Sequence, residues 1–198
     1  MNTNTKLNKM TKVAALAAIA GVLMLLEFPI IPMFGWLKID FSELPVLMGA
    51  FAYGPIVGIV IEAIKIAINF LLTGTTSFGV GELANFLMGL AFILPASIIY
   101  HRNKTKKTAI IGMIVGIVVV NIVAIISNIY LLLPAYGMKM TGSDATKYIL
   151  MGLLPVNTIK SVSVSILTYI LYKKISVKVF KVDNRFVNNN EIETKKTA

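Results

Sequence analysis

The chain contains no cysteine, a single histidine and little charge: 14% of its 198 residues are Asp, Glu, Lys or Arg. Without cysteine there is no disulfide framework and no thiolate metal site, and one histidine cannot build a metal cluster. That residue, His101, lies in a basic loop and reads as a solvated surface group. No G-x-x-x-x-G-K-[ST] phosphate loop occurs, so any ATP hydrolysis must come from other subunits. The acids are scattered rather than paired, which argues against a membrane-embedded enzyme. The chain is read as a non-enzyme with no cofactor and no metal. No internal repeat is visible, which weakens the case for a stand-alone secondary carrier built from paired halves.

What the chain has is apolar surface. Hydrophobic residues make up 57% of it and fall in long uninterrupted runs, as membrane-spanning helices require. Six spans are predicted at about residues 11–28, 44–53, 56–72, 80–100, 108–133 and 148–172. The second is short, because Gly54-Pro55 ends it and starts the next helix.

The net charge of +10 sits at the ends of these runs, which fits a membrane topology signal and not nucleic-acid binding. Lys6, Lys9 and Lys12 precede the first span. Arg102, Lys104, Lys106 and Lys107 join the fourth to the fifth, and Lys173, Lys174, Lys178 and Lys181 follow the sixth. All three clusters lie on the cytoplasmic side only if the number of spans is even at each stage. Six spans satisfy this and five do not, so the N-terminal run is read as a membrane helix and not as a removable secretory signal.

The expected architecture is an all-α integral membrane protein with six transmembrane helices and both termini cytoplasmic. Residues 1–175 form the single substrate-binding domain, and 176–198, polar and aperiodic, a disordered cytoplasmic tail. Residues 29–43, 73–79 and 134–147 then lie outside, long enough to cover a solute. The first of these loops carries Trp36, read chiefly as an interfacial anchor, with Lys38, Asp40 and Phe41.

Polar residues inside the spans are few. Lys160 follows Asn157 by three positions within the last apolar run, which stacks an ammonium donor beside an amide on one helix face. An ammonium at bilayer depth needs a cavity or a partner, and a planar carbonyl-rich ligand would suit this pair. Glu62 and Lys65 share a face in the third span and read as an internal ion pair. Glu82 and Asn85 open the fourth after a glycine-rich stretch. Asn121 and Asn128, seven apart, share a face of the fifth, with Asn128 nearer the outer end and at the depth of Asn157. In the first span Ala14 and Ala18 lie four apart, a small-residue surface on which another helix can pack closely.

Taken in order, Leu37-Lys38-Ile39-Asp40-Phe41-Ser42-Glu43-Leu44-Pro45, Phe51-Ala52-Tyr53-Gly54-Pro55, Glu62-Ala63-Ile64-Lys65, Gly81-Glu82-Leu83-Ala84-Asn85-Phe86, Asn128-Ile129-Tyr130 and Pro155-Val156-Asn157-Thr158-Ile159-Lys160 resemble the riboflavin-specific substrate-binding subunit, or S-component, of energy-coupling factor (ECF) transporters. The resemblance runs from about Lys12 to Tyr172. It implies a six-helix subunit in a prokaryotic plasma membrane that captures riboflavin from outside as cargo. It implies as partners a transmembrane coupling subunit, met by the alanine-rich first helix at Ala14 and Ala18, and two ATPase subunits. It also implies that Asn157, Lys160 and an asparagine of the fifth helix, Asn128 or its competitor Asn121, hydrogen-bond the isoalloxazine ring. Asp40 or Glu82 would then serve the ribityl chain with Asn85 and Phe41 nearby, and Leu132 and Tyr136 would cover the ring. Flavin mononucleotide or another vitamin is the alternative ligand.

Overall fold

In the computed structural model, residues 3–75 and 78–175 are described; the tail expected over 176–198 lies outside them. Six principal helices follow in sequence. Helix α1 runs Thr3–Leu25, α2 Glu43–Tyr53, α3 Pro55–Thr73 and α4 Val80–Asn103. Helix α5 begins as Lys106–Ser127, widens into a π-helical turn at Asn128–Leu132 and closes at Leu133–Ala135. Helix α6 starts at Ser143–Lys147, passes through a second π-helical turn at Tyr148–Leu153 and continues as Leu154–Ile175. Five of the six are long and apolar enough to cross a membrane, and α2 is the exception. At 1.5 Å per residue its 11 residues reach only about 16 Å, roughly half a hydrocarbon core.

Local chemistry sets the breaks. Gly54 takes φ 106°, open to glycine but strained for other residues, and Pro55 follows at the first position of α3, where its missing N–H costs nothing. Thr105 caps α5 by accepting from the Thr108 N–H while the Thr108 hydroxyl accepts from the Thr105 N–H. Helices α4 and α5 approach closely because Gly112 and Gly116 lie four apart. A Cβ at these positions would stand 2.6 Å from the Ala96 carbonyl oxygen and 2.5 Å from that of Phe92.

The main core gathers Leu16, Ala17 and Ala20 of α1, Val46, Leu47 and Phe51 of α2, Ile61 of α3, Phe92 and Tyr100 of α4, Met113 of α5 and Val164 and Tyr172 of α6. A second cluster joins Phe34, from the segment between α1 and α2, to Ala124 and Leu133 of α5 and Tyr148 and Leu153 of α6. Exposed isoleucines, valines and leucines on the long helices form the outward apolar faces that lipid would cover.

Three details differ from the sequence-based expectation. Helix α6 begins at Ser143, so the loop expected over 134–147 is shorter; Asp144 in the first turn suits the positive end of the helix dipole. The first loop contains a short antiparallel ladder, β1 (Phe28–Pro29) against β2 (Lys38–Ile39), that hydrophobic periodicity could not reveal. His101 is no freely solvated residue: its Nε2 lies 2.9 Å from the Ala50 carbonyl oxygen and fastens the end of α2 to α4.

Candidate functional site

The segment between α1 and α2, residues 26–42 (loop 1), borders together with α2, α4, α5 and α6 a cavity of about 180 Å³. Each helix presents its polar groups there for a local reason. On α5, the π-helical turn starts at Asn128, whose amide donates to the Ala124 carbonyl at 2.9 Å while its Oδ1 accepts from the Tyr148 hydroxyl at 2.6 Å. On α6, Asn157 follows the other π-helical turn and donates to the Leu153 carbonyl at 2.9 Å. Such turns swell a helix by one residue, re-aim side chains and recur at functional sites. Anchoring each amide nitrogen to its own helix leaves Asn157 with its remaining amide capacity for a ligand.

The wall combines Lys38, Glu43, Asn85, Asn128, Asn157, Lys160 and Ser161 with Trp36, Met88, Phe92, Leu132, Tyr136 and Tyr148. A planar solute is thus offered donors and acceptors at one end and aromatic or aliphatic faces around it. Trp36 packs 6.2 Å from the Tyr148 ring and 5.7 Å from that of Phe34 and lines the cavity wall.

A charge cluster that reaches the cavity wall through Glu43 and Lys160 unites four chain segments. Lys160 donates to Asp40 Oδ2 at 2.9 Å, and its Nζ stands 3.8 Å from Glu43 Oε1. Lys65 is sandwiched between Glu43 at 2.9 Å and Glu62 at 2.7 Å. Lys65 and Glu62 are essentially inaccessible, at 1% and 0% exposure. Asp40 in loop 1 is governed by the same neighbours. Burial alone would raise its carboxyl, but the ammonium groups of Lys160 and Lys65, together with Ser42, hold it down at about 2.

The cavity therefore brings together Asn85, Asn128, Leu132, Tyr136, Asn157 and Lys160 from the sequence-based set. It does not bring in four others. Asp40 is turned under the wall by its bond to Lys160 and by the Ser42 N–H at 2.7 Å. Phe41 packs on the main core. Glu82 accepts from the Thr75 hydroxyl at 3.1 Å. Asn121 lies about two turns nearer the N-terminal end of α5 than Asn128, donating to the Ile117 carbonyl of its own helix and accepting from Thr158 of α6. Sequence reasoning missed Tyr148, Ser161 and above all Glu43. The one available signal for Glu43 was an acid at the very start of an apolar run, three residues after Asp40. Among the described residues no group of three or more His, Cys, Asp or Glu side chains is placed to hold a metal ion.

Helices with apolar outer faces, a half-length helix and a partly enclosed polar-aromatic cavity define a multi-pass membrane protein built to bind a small solute. Residues 8–172 match the family described as "ECF transporter, substrate-specific component", and the chain belongs to that family. It is 36% identical over 187 residues to "Riboflavin transporter RibU" of Staphylococcus aureus (strain TCH60), covering 89% of this chain and 97% of that one. It is 33% identical to "Riboflavin transporter FmnP" of Bacillus subtilis (strain 168), covering 86% and 93%. The fold superposes with a TM-score of 0.75 and 36% identity on a solved structure described as "Structure and mechanism of the S component of a bacterial ECF transporter", covering 86% of this chain and 96% of that one.

Proposed function

We propose that this chain is the riboflavin-capturing subunit of an ATP-driven ECF uptake transporter in a prokaryotic plasma membrane. The observation that carries the reading is the convergence of Asn128, Asn157 and Lys160, from two helices, on one cavity with aromatic and aliphatic walls. Lysine and asparagine donors suit the carbonyls of an isoalloxazine edge, and Leu132 and Tyr136 suit its faces. The names of the similar riboflavin transporters support the same ligand.

Riboflavin enters from the side of loop 1, and both termini lie in the cytoplasm with the basic clusters. Transport against a gradient requires a transmembrane coupling subunit and two ATPase subunits. Ala14 and Ala18 are exposed, whereas Ala17 and Ala20 of the same helix are buried within the bundle. The exposed pair therefore suits docking of the coupling subunit. The test is purification of the chain alone and titration of riboflavin by fluorescence quenching. Saturable binding without ATP or partners is expected. Saturable binding of a different vitamin, with none of riboflavin, overturns the assignment.

A further inference from the structure

Tyr148 opens the π-helical turn of α6 and Asn128 that of α5, and the two turns meet where the Tyr148 hydroxyl lies 2.6 Å from Asn128 Oδ1. The two residues are 1% and 2% exposed, and both line the cavity. The direction of the bond is fixed from outside it. The Ala124 carbonyl oxygen can only accept, so the amide atom 2.9 Å from it is the Asn128 nitrogen. The atom that meets Tyr148 is then the amide oxygen, and the hydroxyl must donate its single proton to it. The Trp36 indole, a donor only, is the other polar group on that hydroxyl and agrees with the same direction.

An asparagine free to turn its amide over offers a solute either a donor or an acceptor at the same spot. Here the amide is held at both ends, by Ala124 on the nitrogen and by Tyr148 on the oxygen, and one N–H of fixed polarity is left over. The ring carbonyls of an isoalloxazine only accept, so a fixed N–H suits them. Tyr148 has spent its own proton and has no donor left for a ligand. Its ring packs 5.4 Å from Phe34 and 6.2 Å from Trp36, both in loop 1, so the hold on Asn128 is itself braced by that loop. We propose that Tyr148 is a positioning residue whose hydroxyl fixes the polarity of the Asn128 amide, so that Asn128 presents an N–H to a riboflavin carbonyl. This rests on the reading of the chain as a riboflavin-binding subunit with Asn128 at the ligand.

Tyr148→Phe tests it, because the hydroxyl is deleted while the ring keeps its contacts with Phe34 and Trp36. Riboflavin is titrated by fluorescence quenching into the full-length purified parent, Tyr148→Phe, Asn128→Ala and the double variant. Tyr148→Phe alone is expected to weaken binding on the order of tenfold, the effect of one hydrogen bond in a buried site, and to weaken it little further in the Asn128→Ala background. Equal weakening in both backgrounds overturns the proposal, because the hydroxyl then acts on the ligand or the fold independently of Asn128. The second readout is the infrared spectrum of bound riboflavin, isotope-labelled at its ring carbonyls. The carbonyl band that Asn128→Ala moves to higher frequency is expected to move the same way in Tyr148→Phe, a shift that a mere packing role does not produce. A band left at its parental position in Tyr148→Phe overturns the proposal, and so does an Asn128→Ala protein in which no carbonyl band moves. Failure of the parent to bind riboflavin at all is a separate result that overturns the functional reading along with it.

Discussion

Replacing Lys65 by methionine keeps the length of the side chain and deletes its charge. Lys65 stands 2.9 Å from Glu43 and 2.7 Å from Glu62, and all three side chains are nearly or wholly buried. The variant would leave two carboxylates within a few ångströms of each other in a low-dielectric interior, with Lys160 already engaged by Asp40. Breaking a buried pair by removing one partner costs about 3–5 kcal/mol, because the charge left behind stays desolvated. For a chain of this length that corresponds to a fall of roughly 6–20 °C in Tm. The assay is thermal unfolding of the purified protein in one detergent, followed by circular dichroism, for Lys65→Met, Glu62→Gln and the double variant. Glu62→Gln alone should be mild, since Glu43 still answers Lys65, and adding it to Lys65→Met should recover part of the loss. A Lys65→Met protein that melts with the parent, or a double variant no better than the single, would refute the view that Lys65 neutralises this site.

Asn157→Ala and Lys160→Ala should each weaken riboflavin binding by about 1–3 kcal/mol, read by fluorescence titration, since a ligand carbonyl would lose its donor in a dry site. Parental affinity in both would remove α6 from the binding site. Gly89→Ala should lower both affinity and Tm, because a Cβ there would stand within van der Waals overlap of Glu62 Oε1 while Gly89 itself borders the cavity; overpacking of this kind costs about 1–3 kcal/mol. Replacing both Ala14 and Ala18 by tryptophan should leave riboflavin binding by the isolated chain nearly intact but abolish co-purification of the coupling subunit, and with it uptake. A double variant that assembles and transports normally would move the docking surface to another helix.

The periodicity and charge placement that predicted six helices act over one or two turns, and at that range the sequence was sufficient: the break at Gly54-Pro55, the Glu62 and Lys65 pair and the shared face of Asn157 and Lys160 all depend on near neighbours. Contacts across the bundle were another matter. Lys160 meets Asp40 across 120 residues and Lys65 meets Glu43 across 22, and no local pattern distinguishes these partners from the other acids. Asp40 was accordingly expected to face a ligand, whereas it holds the lysine that faces the cavity. Asn121 and Asn128 share one side of an ideal helix at a spacing of seven, so the sequence favoured Asn128 by depth alone and kept Asn121 as its competitor. What the structure adds is the π-helical turn that begins at Asn128.

That difference in range has a consequence for how capture works. Lys160 is at once part of the cavity wall and the partner of Asp40, which belongs to loop 1, while Glu43 joins the same ammonium to Lys65 and α3. A ligand carbonyl that draws on Lys160 therefore acts on a cation that also anchors the covering loop. Because an ammonium has three donors, ligand and Asp40 can be bound together, and the two contacts then support each other by fixing one orientation of the lysine. Binding is therefore expected to be coupled, through this one side chain, to the anchoring of loop 1. The coupling is absent if Asp40→Asn leaves both riboflavin affinity and its dissociation rate unchanged.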